Sequence, residues 1–191
     1  MPRATAAERR KQLIEATVIM IHEKGFCEVR IDDIAERAGV SHGLAHRYFG
    51  TRAGLLNATM RHLLDTLKDE ALPRFRNAST PVQRVRAVVD SQFAASQLAP
   101  ELISVWLAFY TQSKISPDAR RLLKIYQNRL FSNLHYAFRQ MVSQEEAEVR
   151  AAGVAAVIDG LWMDLVVREH HVDPEAARLK AHAIIDKFLA D

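Results

Sequence analysis

The chain has 191 residues and a mass of 21.6 kDa, which is enough to bury a substantial core without disulfides or a structural metal. Its single cysteine, Cys27, excludes an intrachain disulfide, and no apolar run approaches the ~20 residues that a membrane span requires. We therefore expect a protein of the reducing cytosol that has no signal peptide and needs no cofactor.

Apolar residues recur at helical spacing along the whole sequence, and no alternating run bounded by turn residues indicates a strand. We predict an all-α fold of about nine helices. Residues 1–50 are expected to form a helix-turn-helix domain, and residues 51–191 a helical domain for ligand binding and dimerisation. The spacing of Thr5 and Glu8 is that of a capping box, which predicts the start of the first helix, and Gly25 predicts its end.

Two short helices are predicted next, from about Asp32 to Ala38 and from a capping Ser41 to about Phe49. Gly39 can adopt the left-handed conformation that ends the first of them. Val40 is expected to point inward with Ala45 and Phe49, which share one face of the later helix because they are four residues apart. The side chains left for the outer face of this helix are His42, Gly43, Leu44, His46, Arg47 and Tyr48.

Thr51 is predicted to cap a long helix that links the two domains and is bent or ended near Pro73. Cap residues and first-turn prolines predict where the five later helices start. These starts are Thr80-Pro81, Pro100, Ser116-Pro117, Ser143 with Glu146, and Asp173-Pro174. The helix that opens at Ser143 is expected to extend to about Arg168.

The outer face of the helix from Ser41 to Phe49 has side chains that suit the major groove of DNA. Arg47 can pair with guanine, and Leu44 can contact a thymine methyl group. Residues 1–62 contain 10 Lys or Arg against 7 Asp or Glu, and no acidic residue lies between Glu36 and Asp65, which predicts the cationic surface that phosphates require. The spacing alone also allows an ordinary helical hairpin with a solvated polar face.

The run from Ile34 to Ser41, followed by Gly43, Tyr48-Phe49 and Gly54 to Leu56, resembles the tetracycline-repressor (TetR) family of regulators. The resemblance implies a homodimeric repressor that binds palindromic double-stranded operator DNA and is released by a small ligand. It implies DNA contacts from Ser41, His42, Gly43, Leu44, His46, Arg47, Tyr48 and Arg52. Leu44 stands where the family usually has Thr or Ser, and Arg52 where it usually has Lys.

Residues 151–162 are apolar on nearly every side, which predicts that this helix packs on two sides. One of those sides can belong to a second subunit, so that this helix and the last helix form an intersubunit four-helix bundle with two-fold symmetry. A central core helix in a monomer is the alternative. Two-fold pairing would place two DNA-reading helices ~34–36 Å apart, at successive major grooves.

Aromatic residues of the second domain include Trp106, Phe109 and Tyr110, which have i, i+3, i+4 spacing, and Trp162. Such clusters usually belong to a core, but converging rings also form the usual cage for a quaternary ammonium group. Asp159 lies in an apolar helix, where an unpaired carboxylate is costly. Its partner can be a ligand cation, Arg129 or a helix cap.

Four segments of this domain resemble the TetR-family repressors that respond to choline and control genes of glycine betaine synthesis. They are Trp106 to Phe109, Arg129 to Leu134, Phe138-Arg139 and Ile158 to Trp162. The resemblance implies choline or a related trimethylammonium compound as effector, with Trp106, Phe109, Tyr110, Asp159 and Trp162 as candidate contacts. The alternative is a TetR-type repressor of efflux or catabolic genes that senses another hydrophobic or cationic ligand.

An enzyme and a helical adaptor are the alternatives to a repressor. Neither His170-His171 with His182 nor Cys27 with His22 has a recognisable spacing for a metal site or a nucleophile, so we expect no catalytic and no metal site. A helical adaptor that does not bind DNA would explain the helices but not the concentration of positive charge. A steep fall of duplex affinity with salt would distinguish the repressor from it.

Overall fold

The computed structural model describes residues 5–168 and 173–190, and in these ranges the chain forms nine helices and no strand. The expected all-α fold is therefore confirmed. The helices are α1 (Ala6–Lys24), α2 (Ile31–Arg37), α3 (His42–Phe49), α4 (Arg52–Asn77), α5 (Pro81–Gln92), α6 (Pro100–Ser113), α7 (Pro117–Phe138), α8 (Gln144–Arg168) and α9 (Pro174–Leu189). His170 and His171 lie outside the described residues.

The capping residues predicted from the sequence begin most of these helices. At α1, Glu8 N donates to Thr5 Oγ1 over 3.2 Å, and Thr5 N donates to Glu8 Oε2 over 2.6 Å, which lowers the pKa of the Glu8 carboxyl. At α9, Asp173 Oδ1 accepts the N–H groups of Glu175 and Ala176. Capping hydrogen bonds are also accepted by Thr51, Thr80, Ser116 and Ser143.

Of the two alternatives predicted for α4, an end near Pro73 is wrong, and a bend there stays a prediction. The helix continues to Asn77 with Pro73 inside it. Proline removes one backbone donor, but the residues after it keep their own N–H groups and can continue the helix. Ala71 is buried, so the packing of α4 persists up to the proline.

The contacts divide the chain into two compact units. The first unit consists of the described residues up to Asp65 together with Pro100–Leu123, and α1 packs there against α2 and α6. The second consists of Thr66–Ala99 and the described residues from Lys124 onward, and α9 packs there against α5 and α8. The domain division predicted between residues 50 and 51 stays a prediction.

No helix in the described ranges, 5–168 and 173–190, is long and apolar enough to cross a lipid bilayer.

Candidate nucleic-acid interface and effector site

The turn between α2 and α3 has the conformation that the sequence predicted. Gly39 follows the C-cap Ala38 and has φ of 64°, a left-handed conformation that side chains with a Cβ rarely adopt. Val40 N then donates to the carbonyl of Ala35 over 2.9 Å, and the Val40 side chain is buried. The turn is therefore short and fixed on both sides.

Helix α3 is held to the first unit by its inner face. Ala45 and Phe49 are both buried, as predicted, and the Arg10 guanidinium of α1 lies 5.6 Å from the centre of the Phe49 ring. A Cβ on Gly54 would collide with the carbonyl oxygen of Phe49, so only glycine allows α4 to begin this close to the end of α3. The predicted inward position of Val40, Ala45 and Phe49 is confirmed.

The outer face of α3 is accessible. His42, Gly43, His46 and Arg47 are exposed, and Leu44 and Tyr48 are partly buried. Ser41 and Arg52, the other two predicted DNA contacts, are also exposed. All eight residues are thus placed where a duplex can reach them, and their contacts with DNA stay a prediction.

Ser41 occupies the N-cap position of α3, but its hydroxyl accepts no capping hydrogen bond, so the prediction of a side-chain cap is wrong. Its backbone carbonyl instead accepts from the N–H groups of Leu44 and Ala45, over 3.0 and 3.1 Å. The hydroxyl is therefore not used to cap the helix and remains at the surface.

Two carboxylates of α2 lie beside the outer face of α3, and the sequence analysis missed this arrangement. Asp32 Oδ1 is 3.0 Å from His46 Nε2 and 3.8 Å from His42 Nδ1, while Glu36 Oε1 is 3.3 Å from His42 Nε2. The surface around α3 is therefore less uniformly cationic than the acid-free run after Glu36 predicted. A sequence signal for this arrangement did exist. Asp32 and Glu36 are four residues apart, His42 and His46 are also four apart, and each histidine follows the corresponding acid by ten residues.

The arginines of this region have different roles. Arg37 forms two hydrogen bonds with the Glu23 carboxylate, over 2.6 and 2.9 Å. Arg52 donates to the carbonyl of Cys27 and lies over the Phe26 ring at 4.8 Å, so it fastens the loop after α1 to the start of α4. Arg47 forms no hydrogen bond or ion pair with the described part of the chain, and its guanidinium is therefore available to a base.

One face of α8 is an exposed stripe of apolar and small residues. Val149 is 63% exposed, Met163 43% and Val167 73%, and Ala152, Ala156 and Gly160 are exposed between them at spacings of three or four residues. The opposite face is buried through Ala151, Val154 and Ile158. On α9, Leu179 is also exposed. The described residues therefore cover only one side of α8. The six exposed residues Val149, Ala152, Ala156, Gly160, Met163 and Val167 form the apolar stripe of α8.

The three aromatic residues of α6 form a compact cluster in the first unit. The centres of the Trp106 and Phe109 rings are 6.4 Å apart in an edge-on arrangement, and those of Trp106 and Tyr110 are 5.9 Å apart. Phe109 is fully buried and Trp106 nearly so, whereas Tyr110 is partly exposed. The cluster therefore also serves as core, and the Tyr110 ring has the most accessible surface.

Asp159 and Trp162 lie on α8, in the second unit, and both are partly buried. Burial raises the pKa of the Asp159 carboxyl, and desolvation is the whole of the cause. Among the described residues Asp159 has no hydrogen-bond or ion-pair partner, so neither Arg129 nor a helix cap takes that role. A half-buried carboxylate in this state is a suitable counter-ion for a ligand cation.

The second unit also contains an open cleft of about 720 Å³ that the sequence did not predict. Its charged lining residues are Glu70, Arg74, Asp90, Asp173, Glu175 and Arg178. Arg178 binds both Glu175 and Asp90, and these hydrogen bonds raise the pKa of its guanidinium and lower that of the Glu175 carboxyl. None of the five predicted effector contacts lines this cleft.

Three residues of the types used in enzyme active sites contact other residues of the chain. His182 Nε2 lies 2.7 Å from Asp90 Oδ1, and His22 Nδ1 lies 3.0 Å from Ser104 Oγ. Cys27 is exposed, and its carbonyl accepts from Arg52. Within the described ranges no three His, Cys, Asp or Glu side chains converge on a point that a metal could occupy.

The comparison with known proteins shows which class of protein has this geometry. The profile of bacterial regulatory proteins of the tetR family matches residues 13–59, which contain α2 and α3. A transcriptional regulator of Pseudomonas aeruginosa PAO1 has the same fold, with a TM-score of 0.82 at 23% identity over 97% of this chain and 92% of that one. A transcriptional regulator from Saccharomonospora viridis, solved in complex with choline, also has a TM-score of 0.82, at 24% identity over 94% and 96%. Residues 13–59 therefore carry the domain of the tetR class of bacterial regulatory proteins, and the chain as a whole has a fold found in transcription regulators.

The C-terminal part defines the group within that class. The profile of the C-terminal domain of BetI-type transcriptional repressors matches residues 81–190. The regulator BetI of Rhizobium meliloti is 43% identical over 169 residues, which cover 88% of this chain and 83% of that protein. BetI of Brucella anthropi is 40% identical over 183 residues, which cover 95% and 92%. The chain belongs to the BetI-type transcriptional repressors of the TetR family.

Proposed function

We propose that this repressor acts as a homodimer, binds palindromic operator DNA through the outer face of α3, and senses choline or a related quaternary ammonium compound. The genes under its control would then be those of betaine synthesis or uptake. The observation that carries the proposal is α3 itself, whose inner face is fixed by Ala45 and Phe49 while the free guanidinium of Arg47 points outward. Because bacterial operators lie in the cytoplasm, the repressor acts there.

The homodimer is supported by the apolar stripe of α8. Large exposed apolar patches on soluble proteins usually mark an interaction site, and a helix that is apolar on two faces needs two partners. Small residues in the middle of the stripe allow two copies of α8 to approach closely, and Leu179 of α9 extends the patch. A two-fold bundle of two α8 and two α9 helices would bury it.

Sedimentation equilibrium tests the dimer. Val167→Glu places a charge in the apolar stripe of α8, and we expect it to shift the protein to a monomer that binds palindromic DNA at least tenfold more weakly. Ile115→Glu is the control, because Ile115 is 75% exposed but follows α6 in the first unit and is not part of α8 or α9. Dissociation by both variants, or by neither, would contradict the proposed interface.

Aromatic and acidic residues of this chain, together with two related proteins, support choline as the effector. Tyr110 with Trp106, and Trp162, offer aromatic surface, and Asp159 offers a negative charge that no described residue compensates. Each group is proposed as a ligand contact in its own unit, and Asp159→Asn tests the contact with the charge. The resemblance to BetI regulators and the choline complex of the Saccharomonospora regulator both favour a trimethylammonium ligand.

The test measures binding and release together. We expect choline to give a calorimetric signal and to lower the affinity for operator DNA in a fluorescence-anisotropy titration. The matched control is 3,3-dimethylbutan-1-ol, which has the shape of choline but no charge, and it should do neither. No heat with choline while DNA binding persists would favour the alternative, a repressor of efflux or catabolic genes with another effector. Absence of DNA binding would overturn the repressor mechanism proposed for α3.

A further inference from the structure

The pairing of acids on α2 with histidines on α3 goes beyond what the fold of the family requires. Asp32 and Glu36 are four residues apart on α2, and His42 and His46 are four apart on α3, so each pair lies on one side of its helix. His46 Nε2 is 3.0 Å from Asp32 Oδ1, a hydrogen-bond distance. The two nitrogens of His42 face different carboxylates, one on Asp32 and one on Glu36.

The contact with Asp32 determines which nitrogen of His46 carries the proton. An ionised carboxylate only accepts hydrogen bonds, so the Nε2 atom of His46 must donate to Asp32. In the neutral ring, Nδ1 is then an acceptor.

The hydrogen-bonding character of Nδ1 matters in the major groove. Adenine and cytosine present amino donors there, whereas guanine presents two acceptors. A His46 ring held with Nδ1 as acceptor therefore favours an amino group. Among the described residues, the carboxylates within 4 Å of the His42 and His46 rings are those of Asp32 and Glu36.

We propose that Asp32 is a positioning residue for DNA reading, which orients His46 through its Nε2 atom and thereby sets the base preference of the operator half-site at that position. The inference rests on the proposed entry of α3 into the major groove. The inference concerns the base preference at one position of the half-site and not the ability of the repressor to bind DNA.

Binding-site selection from a randomised palindromic library at pH 8.0 tests the role of Asp32. Asp32→Ala should reduce the discrimination between bases at one position of each half-site about fivefold, which corresponds to one hydrogen bond. Asp33→Ala is the matched control. It removes the same charge from the same first turn of α2, and Asp33 has no hydrogen bond or ion pair with the described residues. Asp33→Ala should therefore leave the selected sequence unchanged.

Two further variants separate positioning from a merely structural effect. Asp32→Asn can still accept from His46 Nε2 through its amide oxygen, so it should retain the selected base at pH 8.0. In a His46→Ala background, Asp32→Ala should have no further effect on selection, because a residue that acts through His46 is silent without it.

The outcomes distinguish this inference from the proposed function. Selection of one palindrome by the wild type, with Asp32→Ala and Asp33→Ala equally without effect, would overturn the role of Asp32 and leave DNA reading by α3 intact. Additive effects of Asp32→Ala and His46→Ala would overturn it as well. If the wild type selects no sequence, the proposed function itself fails.

Discussion

Replacement of Asp159 by asparagine is predicted to stabilise the repressor and to weaken choline binding. The carboxylate is half-buried on α8 and has no hydrogen-bond or ion-pair partner among the described residues, and burial raises its pKa. An unpaired charge costs more to bury than an unpaired neutral amide, and partial exposure of Asp159 reduces the difference, so we expect Asp159→Asn to gain about 1 kcal/mol in the free energy of unfolding at pH 7.5.

The gain should depend on pH in a defined direction. Because folding raises the pKa of this carboxyl, its ionised form is disfavoured in the folded state, and stability is lost as the pH rises through the folded pKa. The difference between variant and wild type should therefore be largest at neutral pH. It should disappear once the pH falls below the ordinary aspartate value of about 4, where the wild-type group is protonated in both states.

The effect on choline follows from the charge. Two opposite charges 4 Å apart attract by about 4 kcal/mol at an effective dielectric constant of 20, and solvent at a half-exposed site reduces this. We expect Asp159→Asn to weaken choline binding about tenfold, which is about 1.4 kcal/mol. The uncharged 3,3-dimethylbutan-1-ol should give no heat with either the wild type or Asp159→Asn.

Urea unfolding at fixed protomer concentration and choline calorimetry measure the two effects. Asp164→Asn is the matched control on the same helix, because the Asp164 carboxylate already lies 3.7 Å from Lys180 Nζ. It should bring no gain in stability and no loss of choline affinity. A less stable Asp159→Asn variant, or one that binds choline as tightly as the wild type, would refute the reasoning.

Three other substitutions test the support of α3. Phe49→Ala removes a buried ring and should lower the free energy of unfolding by ~3–5 kcal/mol in urea, whereas an effect below 1 kcal/mol would contradict its inward position. Gly54→Ala should lower the midpoint of thermal unfolding, since the new Cβ meets the Phe49 carbonyl, and an unchanged midpoint would reject that constraint. Arg52→Ala should reduce the salt dependence of duplex binding by about one phosphate contact, whereas Arg52→Lys should keep it. Arg52→Lys should nevertheless lose the contacts with Phe26 and Cys27, so its midpoint of thermal unfolding should fall. Equal salt slopes for the wild type and the alanine variant would exclude a phosphate contact.

The parts of the fold that local chemistry determines were predictable from the sequence. Thr5 with Glu8 and Asp173 with Pro174 begin helices because their side chains satisfy free N–H groups within three residues. Gly39 ends α2 for an equally local reason, its positive φ. The burial of Ala45 and Phe49 followed from their spacing, since residues four apart share a helical face.

The features that the sequence did not reveal depend on contacts between elements. The acids of α2 meet the histidines of α3 only because the turn at Gly39 brings the two helices together. The charged cleft of the second unit joins the ends of α4, α5 and α9, which are far apart in the chain. Whether Asp159 has a partner is likewise decided by neighbours that no local pattern specifies.

The central claim, that the outer face of α3 reads operator DNA, is tested most directly through Arg47. This residue is exposed and forms no hydrogen bond or ion pair with the described chain, so its replacement by alanine disturbs little else. In binding-site selection the wild type should recover a palindrome, and Arg47→Ala should lose its preference at one base pair of each half-site, by ~1–3 kcal/mol in the measured affinities. Recovery of the same palindrome with undiminished preference would contradict the claim.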